Sequence, residues 1–108
     1  MEGLWTAEFG SSTGVFSGGV VVLQDGRVMG GDGGYFYLGE YTLNGNALRA
    51  SIEVQPFIEN YQSVFRTANR KLTLDLVGSL QDRDHAMAQG TPRGMPHMAF
   101  GVKLTKRA

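Results

Sequence analysis

The chain has 108 residues, 42% apolar and 19% charged, the size and balance of one globular domain with one core. Ten Lys and Arg offset ten Asp and Glu, so the surplus positive field that selects nucleic acid or anionic lipid is missing, and direct DNA binding is disfavoured. Cysteine is absent, which excludes disulfides and thiolate metal sites.

The first residues, Met1-Glu2-Gly3-Leu4-Trp5, lack the basic start and apolar run of a signal peptide. No segment approaches the roughly 20 apolar residues of a membrane helix, so a soluble, cytoplasmic protein without a membrane partner is expected. A first strand is predicted over Leu4–Phe9 and a second over Gly14–Leu23. Asp25-Gly26 then gives a two-residue hairpin turn into Val28-Met29.

Gly30-Gly31-Asp32-Gly33-Gly34 follows. It reads as a tight turn with positive φ between two strands, and the alternative is a cradle of backbone amides for an anion. Tyr35–Leu43 is the next strand, and Asn44-Gly45 is its hairpin turn into a strand beginning at Ala47. Leu48–Val54 alternates apolar and polar residues, the mark of a half-buried strand. From Pro56 to Asn69 a loop is expected, with at most one short helical turn within Phe57–Phe65. Further strands are predicted at Leu72–Leu80, around His85–Gln89, and at Met98–Leu104.

Seven or eight short antiparallel strands without a helix to cover them would leave exposed edges and one bare apolar face if the sheet stayed open. Closure solves both problems. The expected fold is therefore a single all-β domain over 1–108, a small closed up-and-down barrel, with a two-sheet sandwich as the alternative. The 16 glycines, dispersed rather than clustered in a linker, suit the turns and bends of such a barrel.

Catalytic motifs are missing: no nucleophile elbow, no Walker loop and no dinucleotide fingerprint in a strand–helix context. His85 and His97 have no second ligand at metal-site spacing, and Asp82-Arg83-Asp84 reads as a hairpin tip rather than a calcium loop. Neither an enzyme, a metal site nor a cofactor is expected. Inward residues including Trp5, Phe9, Leu74, Leu76, Phe100 and Val102 are the candidates for holding a small apolar, lipid- or fatty-acid-like ligand at the barrel interior or mouth. Tyr35, Phe36, Tyr37, Leu38 and Tyr41 put apolar groups on both faces of one strand. A single wall buries only one face, so these residues are the candidate surface for a homodimer or a protein partner.

Gly3-Leu4-Trp5 looks like the G-x-W signature that opens lipocalin-type barrels. There the tryptophan closes one end beneath a basic side chain from near the C-terminus, a place that Lys103, Lys106 or Arg107 could fill; the plainer reading is a core aromatic. Together with Gly26, Gly30-Gly31-Asp32, Tyr37 and Gly39 at matching spacings, it makes nearly the whole chain resemble the GrlR-like family of negative regulators of type III secretion. The resemblance implies a small lipocalin-like barrel, a homodimer, and regulation by binding a transcriptional activator protein instead of DNA. The chain departs from that family at Leu43-Asn44-Gly45-Asn46-Ala47, where the family's regulator carries an acidic run and this sequence has no carboxylate.

Overall fold

Hairpin turns set the fold's framework. The computed structural model describes residues 1–12, 14, 16–58 and 71–108. Among the described residues eight strands are formed: β1 (Gly3–Ser11), β2 (Phe16–Gln24), β3 (Arg27–Gly31), β4 (Tyr35–Asn44), β5 (Ala47–Pro56), β6 (Leu72–Asp82), β7 (His85–Pro92) and β8 (Phe100–Lys106). Each pairs antiparallel with the next, and β8 pairs with β1, so the sheet closes into an up-and-down barrel. Most of the segment Phe57–Phe65, where one helical turn was expected, lies outside the described residues.

At Asp25-Gly26 both residues have positive φ, 53° and 77°, which is the type I′ turn matching the strand twist. The second hairpin is shifted by one residue from the expected Asn44-Gly45. Asn44 pairs with Ala47, which leaves Gly45 and Asn46 as the loop. Gly45 has a φ of 59° and sits at the first central position, the type II′ arrangement that places glycine where the backbone turns left-handed. Gly45→Val is therefore expected to cost about 2 kcal/mol and lower Tm by roughly 10 °C, whereas Gly45→Asn changes Tm by much less. Equal melting of the two variants would place the turn elsewhere. In the third hairpin, the Asp82 carboxylate accepts from the Asp84 amide at 2.8 Å and meets His85 Nδ1 at 2.8 Å. Those contacts hold its carboxyl below the usual range and occupy the acidic tip in shaping a turn.

The glycine run is corrected in a similar way. Gly30 and Gly31 belong to β3, and the positive-φ glycines lie elsewhere, at Gly3, Gly14, Gly26, Gly45 and Gly94. Gly30 is required for space: a Cβ there would stand 2.0 Å from the Val20 carbonyl oxygen. The turn into β4 is made by Asp32, whose Oδ1 accepts from the Gly34 and Tyr35 amides at 2.9 Å each. Because the chain's own carboxylate takes those amides, they are not offered to an anion.

Alternation along the strands sends Trp5, Val21, Tyr37, Ile52, Leu74, Ala88 and Val102 inward, and one buried cluster fills the barrel's centre. Outside, Arg93 grips Asp75 with two hydrogen bonds of 2.8 and 2.9 Å, and Lys71 meets Glu53 at 2.8 Å. The Arg93 guanidinium holds the Asp75 carboxyl below its usual range. Among the described residues, no helix is long and apolar enough to cross a membrane.

Candidate functional site: the barrel cavity

The barrel has two unlike ends. One carries the three tight hairpins and both termini. The other carries Ser12, the Asp32 turn, Phe57 and the loop from Arg93 to Ala99. Between them the interior is not completely filled, and a cavity of about 250 Å³ remains. Its wall is built from inward positions of all eight strands, among them Ala7, Val21, Val28, Tyr37, Ile52, Leu74, Ala88 and Val102. Phe16, 82% exposed at the start of β2, lines its outer part at the loop end.

Five of the six residues expected to line the interior do so: Phe9, Leu74, Leu76, Phe100 and Val102. Trp5 points inward but belongs to the packed part of the core, fully buried, with its indole Nε1 donating to the Met1 carbonyl at 3.1 Å. Of the basic residues that could sit over it, Lys106 shares its rung of the β1–β8 ladder. Lys106 also runs over Gly3, where a Cβ would lie 2.9 Å from its Cε. Lys103 is exposed, and Arg107 instead donates from Nε to Thr6 Oγ1 at 3.0 Å.

The expected outer surface on β4 divides. Phe36 and Leu38 face outward, Leu38 with 42% of its surface exposed. Tyr35, Tyr37 and Tyr41 all face the cavity, Tyr35 and Tyr37 being buried, so they are not part of an outer surface. The signal was present as the spacing of 35, 37 and 41, which puts the three tyrosines on one face of a strand. With apolar residues on both faces, the pattern alone did not say which face was inside.

At the loop end the cavity wall turns aromatic and polar. The rings of Phe9 and Phe100 lie with centroids 5.6 Å apart, and Tyr37 meets Phe9 edge-on at 6.4 Å. The Tyr37 hydroxyl donates to Asp32 Oδ2, which anchors the Asp32 turn to the barrel wall. Asp32 thus belongs to the site as well as to the turn, a role that sequence reading assigned only to turn geometry. At the opposite end, burial and then the Glu2 carboxylate push the Tyr41 phenol above its usual value, so it is a neutral hydroxyl at physiological pH.

His85 and His97 are both exposed and lie outside the cavity wall. Among the described residues, no three His, Asp or Glu side chains come together as a metal site would need. What the arrangement offers is an apolar chamber with a carboxylate at one end. No protein-family model and no curated protein sequence matches the chain.

Proposed function

We propose that this protein is a non-catalytic binding module that carries or senses a small apolar molecule inside its barrel. The supporting observation is the unfilled apolar cavity of about 250 Å³. Eight-stranded barrels are just narrow enough for their own side chains to fill, or for one small ligand to take their place. Leaving such a volume empty forfeits packing on the order of several kcal/mol, a large share of the 5–15 kcal/mol typical of a domain's stability. An apolar ligand restores those contacts. Titration with the neutral, bicyclic fluorescent probe 1-naphthylamine is expected to saturate at one probe per barrel with blue-shifted emission. Absence of saturable binding would sink the reading.

A second reading, a regulator that acts through protein contact as the GrlR-like resemblance implies, is favoured by the outer wall. Leu4, Val22, Met29 and Leu38 are direct cross-strand neighbours in one row over β1 to β4, and Val20 and Phe36 extend it. Leu4, Val20, Val22 and Leu38 are each more than a third exposed. Beside the patch, Glu40 and Arg27 are direct cross-strand neighbours, so its rim carries both signs of charge. A two-fold contact buries such a patch on both copies at once, so the occupant we favour is a second copy of the chain. In this reading a transcriptional regulator is the partner of the assembled dimer. Leu38→Glu is expected to convert the dimer to monomer in sedimentation equilibrium while circular dichroism shows the barrel still folded. A parent protein that is monomeric at all concentrations would remove this reading.

A further inference from the structure

Resting on the cavity reading above, we infer that the ligand is an amine or alcohol on an apolar body of about ten non-hydrogen atoms, and that carboxylic acids are rejected. Size comes first. An apolar cavity of about 150 Å³ takes a benzene ring, so about 250 Å³ sets a body on the order of ten non-hydrogen atoms, near a bicyclic ring in bulk. A long-chain fatty acid exceeds it.

Charge then decides the polar end. Among the described residues, Asp32 is the only charged side chain in the cavity wall; Met1, which bears the amino terminus, lines the wall at the opposite end. A ligand carboxylate at the Asp32 end would lose its hydration beside a carboxylate of like charge, with no cation among the described residues of that end. Asp32 instead offers an acceptor. A carboxylate has about four lone-pair sites, and the bonds from the Gly34 amide, the Tyr35 amide and the Tyr37 hydroxyl use three of them. One site is left for a donor arriving from the cavity. The same bonds fix the Asp32 carboxylate in place, so it meets a ligand without reorganising. An ammonium group adds charge pairing to that hydrogen bond, and a hydroxyl makes the hydrogen bond alone. The apolar body of the ligand then extends over Leu74, Leu76 and Val102.

A matched set of 1-naphthylmethylamine, 1-naphthalenemethanol and 1-naphthoate tests this by calorimetric titration at neutral pH, with displacement of 1-naphthylamine as a second readout. The amine is expected to bind at least tenfold more tightly than naphthoate, with the alcohol between them. Naphthoate binding as tightly as the amine would overturn the inference and leave the cavity reading standing. So would a probe that binds while none of the three compounds displaces it, whereas failure of the probe itself to bind would remove both. In Asp32→Asn, Oδ1 still accepts from the Gly34 and Tyr35 amides but the charge is gone, so the amine's advantage over the alcohol is expected to vanish. Its persistence would overturn the role of Asp32. The comparison in the unaltered protein decides the matter by itself should that variant fail to fold.

Discussion

Gly78→Ala is expected to lower Tm by 15 °C or more, a loss of roughly 3 kcal/mol or greater, while Gly101→Ala stays within about 0.5 kcal/mol of the parent. Both glycines lie within strands, and the difference between them is what stands behind each. A Cβ at Gly78 would lie 1.9 Å from the Met87 carbonyl oxygen and 2.5 Å from the Ala88 Cα, both backbone atoms of the neighbouring strand. Flexible side chains can yield to an added methyl, but a ladder partner moves only if β6 and β7 separate. At Gly101, exposed on β8, a Cβ would meet nothing within 4 Å. Gly78 faces the interior beside Leu48 and Ala88, and Gly39 and Gly90 stand in the same relation to their neighbours, at 2.2 and 1.9 Å from a carbonyl oxygen. These inner glycines let the strands coil tightly enough for eight of them to close. Thermal melts followed by circular dichroism compare the two variants directly. A Gly78→Ala protein that melts with the parent would mean that β6 does not approach β7 this closely.

The strands and their order were legible because two elementary signals agreed. Period-two alternation marked β5, β6 and β8, and glycine-centred turns marked two of the hairpins between strands. Closure followed from the lack of any helix to cover an open sheet. What sequence reading did not deliver was parity where both faces of a strand are apolar. In Tyr35–Tyr41 either face could be inside, and only the closed register, with Gly30 opposite Tyr37 and Ile52 opposite Gly39, decides that the tyrosines are. The one-residue shift at Gly45 has a similar origin, since Asn44-Gly45 suits a type I′ turn and Gly45-Asn46 suits a type II′ turn. Pairing of Asn44 with Ala47 selects the second. The cavity lay beyond pattern reading altogether. Whether a barrel is filled depends on summed side-chain volume, and here glycine and alanine occupy inward positions such as Ala7, Ala50, Gly78 and Ala88, where larger residues would close the space.

The same small residues give the sharpest way to separate the interior from the outer wall as the functional surface. Ala88 is buried, faces the cavity, and pairs with Gly78 on one side and Val102 on the other. Ala88→Leu projects an isopropyl group into a space that is already apolar. Each buried methylene contributes about 0.8 kcal/mol, against 1–3 kcal/mol of strain if the new side chain is forced off its preferred rotamer. The two terms nearly cancel, so the thermal midpoint is expected to stay within a few degrees of the parent. Binding responds differently, because the ligand and the leucine compete for one volume. Affinity for 1-naphthylamine is expected to fall at least tenfold, and the state of association measured by sedimentation is expected to remain as in the parent. The opposite pattern, unchanged probe affinity with altered association, would move the functional surface to the row of Leu4, Val22, Met29 and Leu38. Loss of probe binding in Ala88→Leu, together with monomer formation in Leu38→Glu, would assign the two surfaces separate roles, with the inner one set by volume and the outer one by the apolar row.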